Sequence, residues 1–449
     1  MSRPCAYKDC KIPIWDAKHC IFHAPTINKI NQVEGVNEEM FNLIEKEKNR
    51  PVKDNEKRIF NFRGFIFPGE ISFKNREFNG DVDFSGAQFY SNVDFSDARF
   101  SGHADFSYAK FSGSIRFENN TFKGDEVDFS HAVMQGNAIF KFREPKFIKC
   151  VKATKVIFEN TIFRQYNTYF ENIQAPCDIT QDNVLECPVF IFRYCDLTNV
   201  HFSKCWLSIF SFFKSSFESA RYVMCDWARK RVWWILFRRN IIFEELFFEK
   251  CETMDDSEKI KIKKEYKLED LGGYREICHL YRRMKVAQDS AKDYPDASLF
   301  YYNEWEMRRE SAKIKKEEKM NCVMRLGRLV LYKLYQIFAG YGDRPHWSFG
   351  WFVISFIVFT KLNIYFGFNT SDNVTIDPLG LSLVSPPDFG KSILFTLHRL
   401  MPYSLYSFNQ DRYYILNSWG DLNAIVSTVT LYIFIIFIGI GLKRHFRRF

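Results

Sequence analysis

The chain has 449 residues, of which 49 are Phe, 46% are hydrophobic and 26% are charged. This length predicts roughly two to four domains, and the proportions exclude wholesale disorder, a collagen-like chain and a transporter built mainly of membrane spans. The net charge of +9 is modest for the length, and no block of five consecutive basic residues indicates a nucleic-acid-binding arm.

The amino-terminal 30 residues carry four candidate metal ligands in the pattern C-x4-C-x9-C-x2-H, namely Cys5, Cys10, Cys20 and His23. Three thiolates and one imidazole suit a closed, structural Zn²⁺ site, so we expect a zinc knuckle in residues 1–30. The segment lacks the apolar core of a secretory signal peptide, which predicts a reducing compartment. Scattered reduced cysteines in a frayed terminus are the alternative, and His19 is a competing imidazole.

Beyond a predicted linker helix in residues 31–59, Phe recurs with a period that neither a helix nor a strand produces. From Phe73 to Phe122 the spacing alternates five and six residues over nine intervals, and most of these Phe follow a small or β-branched residue by two positions. After a looser stretch, a strict period of five runs from Leu197 to Trp227. Such a period fits a solenoid with four short faces and about 20–22 residues per coil.

The segments VDFSGAQF, VDFSDARF and ADFSYAKF resemble the pentapeptide-repeat family. The resemblance covers more than a third of the chain and implies a right-handed quadrilateral β-helix of roughly eight coils over residues 60–227. The predicted solenoid core contains Phe84, Phe89, Phe95, Phe100, Phe106, Phe111, Phe202, Phe212 and Phe217.

Three cysteines of this segment, Cys195, Cys205 and Cys225, occupy the small inward position of successive repeats. We interpret them as core residues rather than a metal cluster. Some pentapeptide-repeat proteins mimic duplex DNA, and a mimic of a polyanion must be strongly acidic. Residues 60–227 contain 20 acidic and 18 basic residues, a net charge of −2, so a nucleic-acid-related role is not expected.

Residues 228–320 are predicted to be helical. Apolar residues recur at helical spacing from Tyr274 to Met284, and Tyr294 with Pro295 marks the turn of a helical hairpin. In residues 321–345 we expect an amphipathic helix along a membrane surface, followed by a turn. Its predicted apolar face carries Val323, Leu326, Val330, Leu334 and Ile337.

Residues 346–449 contain two apolar segments long enough to cross a membrane. Leu422–Leu442 has no charged residue, and Trp347–Phe368 is interrupted only by Lys361. A buried core helix is the alternative for Trp347–Phe368. Basic residues flank the outer ends of both segments, so both termini are expected in the cytosol. Pentapeptide-repeat proteins with a two-span, channel-like module carry a similar helical hairpin and a similar junction before the first span, which here reads Gly340-Tyr341-Gly342-Asp343-Arg344-Pro345. This resemblance implies the bacterial inner membrane.

Between the spans, residues 389–408 lie where a re-entrant pore helix would be. The string Gly340-Tyr341-Gly342-Asp343 looks like a potassium filter but precedes the first span, so we interpret it as a helix-ending turn. No filter-like string occurs between the spans. Candidate pore or gate residues are His398, Arg399, Pro402 and Lys361. An amphipathic helix on the outer surface, with His398 and Arg399 in water, is the alternative for this segment.

These observations lead first to a membrane-embedded, channel-like or pore-forming effector. Its cytosolic repeat domain would sense or bind a protein partner, and its membrane module would form a homo-oligomer in the lipid bilayer. The alternative is a membrane-tethered β-helix that recruits a partner without conduction. No catalytic constellation emerges, because the nine His are scattered and no phosphate-binding loop or nucleophile elbow occurs. We therefore do not expect an enzyme.

Overall fold

The computed structural model describes residues 5–6, 10, 19–24, 33–51, 57–141, 154–163, 168–173, 180–187, 189–217, 220–231, 238–290, 294–313, 322–342, 345–366, 368–369, 375–376, 393, 396–397, 414–415 and 418–447. The chain divides into two compact units, residues 1–307 and residues 308–449. Strands and helices are numbered below in chain order within each class.

Unit 1 is built around four parallel sheets. The first contains β1 (Ile59–Asn61), β5 (Asp81–Asp83), β9 (Ala104–Asp105), β13 (Glu126–Asp128), β16 (Lys155–Glu159), β19 (Val189–Arg193) and β21 (Phe210–Ser211). The second contains β2 (Ile66–Phe67), β6 (Gln88–Phe89), β10 (Lys110–Phe111), β14 (Val133–Met134) and β17 (Ile162–Phe163). The third contains β3 (Ile71–Ser72), β7 (Val93–Asp94), β11 (Ile115–Glu118), β15 (Ala138–Lys141), β18 (Thr168–Glu171), β20 (Val200–Ser203) and β22 (Arg221–Val223). The fourth contains β4 (Glu77–Phe78), β8 (Arg99–Phe100) and β12 (Thr121–Phe122).

The strands stack in register, one coil above the next, which makes unit 1 a four-faced β-helix. Val82 pairs with Phe60 on one side and with Ala104 on the other. The first and third sheets each have seven described strands, so the solenoid has seven coils there rather than roughly eight. The number of coils is lower because the later coils contain more residues. The paired residues Val156 and Phe190 are further apart in sequence than the paired residues Val82 and Ala104.

Phe side chains fill the interior of the β-helix as ladders of stacked rings. Phe95 lies 4.8 Å from Phe73 and 4.9 Å from Phe117 between ring centroids, with nearly parallel planes. Rings from adjacent faces meet edge to face, as Phe95 and Phe106 do at 5.4 Å. Offset stacks and edge contacts are the favoured geometries of aromatic pairs, so the repeat period generates the packing directly.

Helices and one hairpin close the ends of unit 1. Helix α1 (Val33–Asn49) buries Val36, Met40 and Ile44. After the last coil, the antiparallel strands β23 (Ala228–Arg231) and β24 (Arg238–Ile241) lead into further helices. These are α2 (Phe243–Cys251), α3 (Asp256–Glu265), α4 (Tyr274–Ser290) and α5 (Tyr294–Lys313).

Unit 2 contains three helices and a small sheet. The helices are α6 (Cys322–Ala339), α7 (Pro345–Phe366) and α8 (Ser418–Arg447), and the strands are β25 (Phe368–Asn369), β26 (Thr375–Ile376) and β27 (Tyr414–Ile415). Helices α7 and α8 pair antiparallel, because Asn363 contacts Asn423 and Pro345 lies beside Gly441. A turn at Gly340–Gly342 ends α6, and its three residues all have positive φ.

Candidate metal centre and membrane segment

The four predicted ligands near the amino terminus converge in the structure. The ligand atoms of Cys5, Cys10, Cys20 and His23 all lie within 4.8 Å of one another, and His19 is not part of this group. The Sγ atoms of Cys10 and Cys20 are 3.8 Å apart, and His23 Nδ1 lies 3.6 Å from Cys5 Sγ. Tetrahedral zinc bonds of about 2.3 Å to sulfur and about 2.0 Å to nitrogen give nearly these separations. The four side chains are therefore compatible with a metal site.

The surroundings of the four side chains match those of a metal centre. The Nε2 atom of His23 lies 2.9 Å from the carbonyl oxygen of Arg63, to which it donates when the proton is on Nε2, and Nδ1 then faces the sulfurs with its lone pair. The amide of Cys20 donates to Cys5 Sγ at 3.2 Å. Burial raises the pKa of the Cys20 thiol to about 12, so a thiolate at this position requires a compensating positive charge.

The ligand segment is attached directly to the first coil. The amide of Ile66 in β2 donates to the carbonyl oxygen of Phe22 at 2.8 Å. The ring of Phe22 stacks on Phe65 with 4.3 Å between centroids, and His23 meets the edge of Phe65 at 5.1 Å. This short segment thereby covers the open edge of the second sheet and the first aromatic rings of the ladder.

Unit 2 carries the membrane candidate. In the part of the chain that the structure describes, one helical stretch, Ile425–Lys443 of α8, is long and apolar enough to cross a membrane. Ile425, Val429 and Ile436 are all more than half exposed, at 61%, 54% and 57%. On α7, Phe349 and Ile354 are exposed at 58% and 53%. Both helices therefore present apolar side chains on their exposed faces.

Polar side chains connect α7 and α8 near one end of the pair. Asn423 Nδ2 donates to Asn363 Oδ1 at 2.7 Å, and Asn363 Nδ2 donates to Thr396 Oγ1 at 3.0 Å. Thr360 lies beside them, with its hydroxyl 3.4 Å from that of Thr396. All four side chains are buried. Interhelical hydrogen bonds of this kind fix the register of membrane helices.

The other predicted residues are placed as follows. The nine Phe of the predicted solenoid core are all buried. Lys361 is exposed on α7, whereas His398, Arg399 and Pro402 lie outside the described residues, as does most of residues 389–408.

The Gly340–Gly342 segment forms the turn between α6 and α7, where Ser348 Oγ and Trp351 Nε1 donate to the last carbonyl oxygens of α6. Leu326, Val330 and Leu334 of the predicted apolar face of α6 are exposed, at 62%, 49% and 42%.

Comparison with known proteins identifies the repeats of the β-helix. A family model described as pentapeptide repeats (9 copies) matches residues 62–110. The β-helix is a pentapeptide-repeat domain. No curated protein and no solved structure matches the chain. The pentapeptide-repeat domain is therefore identified by its repeat alone.

A buried charged cluster behind the last coil was not anticipated from the sequence. Arg239 on β24 forms a bidentate ion pair with Glu245 on α2, whose Oε2 also accepts a hydrogen bond from Tyr281 at 2.5 Å. Asn303 bridges Arg239 and the carbonyl oxygen of Asn240. The available signal was a pair of glutamates inside the apolar run IIFEELFFEKC, because a carboxylate in such a run needs a buried partner.

Proposed function

We propose that this protein is a membrane-anchored scaffold whose pentapeptide-repeat domain binds a protein partner along one exposed edge. Zinc at Cys5, Cys10, Cys20 and His23 would be structural and would hold the amino-terminal cap on the first coil. Unit 2 would supply the anchor, with α8 and α7 as two spans of the cytoplasmic membrane. The repeat domain and both termini would lie in the cytosol, where the cysteines stay reduced.

The observation that carries the proposal is a set of aromatic side chains at the turns between the first and second sheets, in the third, fourth and sixth coils, with Asn160 at the same turn of the fifth. We name Tyr108, His131 and Tyr194 the aromatic edge. Their φ angles are 58°, 59° and 55°, and the equivalent turns of the first two coils have glycine, at Gly64 and Gly86. Tyr108 is 60% exposed and Tyr194 is 47% exposed. The rings of Tyr108 and His131 stack at 4.7 Å.

A left-handed conformation costs a non-glycine residue about 1 kcal/mol or more. Folding alone does not require an aromatic ring at these turns, because glycine serves the same turn two coils earlier. Exposed aromatic side chains are enriched at the centres of protein interfaces, and a solenoid presents them in one extended row. The aromatic edge therefore has the composition of a binding surface obtained at some cost in stability.

The test is a glycine series on the full chain. Tyr108→Gly, His131→Gly and Tyr194→Gly combined should maintain or raise the melting temperature and should remove the partner's signal in proximity labelling of intact cells. The matched control places three glycines at the turns between the third and fourth sheets, with Asn75→Gly, Asp97→Gly and Asn119→Gly, where φ is also positive. The proposal is wrong if both variants keep the same labelled neighbours as the unsubstituted protein.

The anchor is tested by topology. A reporter that is active only outside the cytosol should be active when fused after residue 390 and inactive when fused after residue 449. Inactivity after residue 390 together with activity after residue 449 would mean a single span, which is α8. Alkaline carbonate should leave the full chain in the membrane fraction and release a chain that ends at residue 307.

Conduction by an oligomer of unit 2 is a second candidate. Its supporting observation is the buried cluster of Thr360, Asn363, Thr396 and Asn423, since polar groups inside a membrane helix pair often mark a path for ions or water. Purified protein in liposomes should then release a trapped ion, and Asn363→Leu should change that rate. A tight bilayer at high protein load, together with a monomer in detergent, would eliminate this candidate. Replacing residues 346–449 by an unrelated anchor separates the two functions, because only a scaffold keeps its partner.

A further inference from the structure

Two cysteines stand one coil apart at the same inward position near the end of the β-helix. The residues that follow them, Trp206 and Asp226, form a parallel bridge, and the amide of Asp226 donates to the carbonyl oxygen of Cys205 at 2.9 Å. Adjacent parallel strands are about 4.8 Å apart. A disulfide needs about 4.4–6.8 Å between Cα atoms, so the coil spacing brings Cys205 and Cys225 within reach of a covalent link.

The two thiols differ in their surroundings. Cys205 is 1% exposed, and its Sγ donates to the carbonyl oxygen of Phe170 at 3.1 Å. Cys225 is only partly buried, and its Sγ lies 3.6 Å from the carbonyl oxygen of Val223. The neighbouring Cys205 side chain lowers the pKa of the Cys225 thiol, whereas burial raises the pKa of the Cys205 thiol. Cys225 is therefore the more accessible thiol of the pair, and Cys205 is buried beside it.

We propose that Cys225 is a peroxide-reactive thiol and that Cys205 is its resolving partner. The Cys225 sulfur attacks one oxygen of a hydroperoxide, the O–O bond breaks, and Cys225 becomes a sulfenic acid with release of water or an alcohol. The Cys205 sulfur then attacks the Cys225 sulfur, the S–O bond breaks, and hydroxide leaves with the Cys205 proton as a second water. The pair loses two electrons and the peroxide gains them. The product links the sixth coil to the seventh.

The chain supplies its own comparison on the second face. Cys195 and Ser215 are also one coil apart at the small inward position, but Ser215 carries a hydroxyl and both residues are buried. Of the cysteines whose side chains the structure describes, Cys10 and Cys225 are the ones not fully buried, and Cys10 belongs to the candidate metal centre. Access from solvent combined with a neighbouring thiol therefore distinguishes Cys225 outside the metal centre.

The experiment treats the full-length protein in detergent micelles with hydrogen peroxide, followed by alkylation and mass spectrometry of unreduced peptides. We expect a Cys205–Cys225 linked peptide, which Cys205→Ala and Cys225→Ala both abolish. Alanine suits this position, since Ala98 and Ala220 occupy it elsewhere in the repeats. In Cys205→Ala, Cys225 should accumulate as a sulfenic acid that dimedone traps. This second readout does not depend on the linked peptide.

The matched control is Ser215→Cys, which creates a second pair at the same coil spacing with both sulfurs buried. Its linked peptide should form at least about tenfold more slowly than the Cys205–Cys225 peptide, because solvent access controls the first step. The proposal fails if Cys225 stays fully alkylatable at a peroxide dose that oxidises the cysteines of the metal centre. It also fails if the two pairs link at equal rates, since stacking alone would then account for the product.

Discussion

The first coil of the β-helix is covered by a short metal-centred segment, whereas the last coil is covered by helices with buried charges. Both coils present an unpaired strand edge and an aromatic layer. At the amino-terminal end, Phe22 supplies one carbonyl oxygen to the second sheet and one ring to Phe65. At the carboxyl-terminal end, the Glu244 side chain accepts the amide of Phe212 at 2.8 Å, where another coil would have supplied a carbonyl oxygen.

The two caps therefore depend on different conditions. The amino-terminal segment is too short to fold by burial of apolar area, so we expect its cap to depend on metal. The carboxyl-terminal cap has ample apolar area, but it holds Arg239, Glu244 and Glu245 away from water. Buried ionisable groups make a cap sensitive to substitution and to pH. We therefore expect one solenoid end to respond to metal supply and the other to protonation.

Metal removal should have the largest effect, and only at the amino-terminal end. Structural zinc binds zinc-finger peptides with about 10–16 kcal/mol, so chelation should unfold the ligand segment completely. Hydrogen exchange is the measurement: the Ile66 amide, which donates to Phe22, should lose protection, whereas the Gln88 amide, which donates to Phe65, should keep it. Cys20→Ala should behave like the chelated protein and Cys195→Ala should not. Retained protection of Ile66 without metal would refute the metal-dependent cap.

Breaking the ion pair should have the next largest effect, at the opposite end. Arg239→Met leaves Glu245 buried without its cation, and we expect the unfolding free energy to fall by about 3–5 kcal/mol. Arg239→Met combined with Glu245→Leu should recover most of this loss, because no uncompensated charge remains. Urea denaturation in micelles, followed by circular dichroism, measures both variants. Equal losses in the single and double variants would mean that packing, not charge, stabilises this cap.

The free energy of unfolding should depend on pH through the Glu244 carboxyl. Burial raises the pKa of this carboxyl from 4.5 to about 7, so the folded protein holds a proton that the unfolded chain releases. The unfolding free energy should therefore fall as pH rises from about 4.5 through 7, by about 3 kcal/mol in total, and level off above. Glu244→Gln keeps an acceptor for Phe212 and should remove this slope. The difference between wild type and variant across pH isolates this group from metal loss in acid, and a constant difference would contradict the assignment.

Relieving backbone strain at a single turn should have the smallest effect on the free energy of unfolding. Met224 in the last coil is 77% exposed with a φ of 54°, whereas Gly64 takes the left-handed conformation in the first coil. Met224→Gly should stabilise the protein by up to about 1 kcal/mol, because glycine adopts this conformation without a steric penalty. Met224→Ala is the control, since it removes the same exposed side chain and keeps the strain. A melting temperature that rises equally in both variants would contradict strain relief.

Local periodicity determined much of this protein from the sequence alone. The five-and-six spacing of Phe95 and its neighbours specified the coil and the inward positions, because each repeat folds against the next by the same rule. The spacing of Cys5, Cys10, Cys20 and His23 likewise predicted four metal donors, and the structure brings their ligand atoms together. The apolar stretch of α8 was evident from composition, while the second span, the pore residues and the oligomer remain predictions.

Only the tertiary structure decided how the ends are closed and which surfaces are available. Arg239 meets Asn303 across 64 residues, and His23 is oriented by the carbonyl oxygen of Arg63 across 40. No period in the sequence links such partners, because the segments between them are helices outside the repeat, α1 in one case and α2 to α4 in the other. Cys205 and Cys225, by contrast, are related by the repeat itself. Their identical repeat position made them core residues, and only the folded solenoid shows that one of them remains open to solvent.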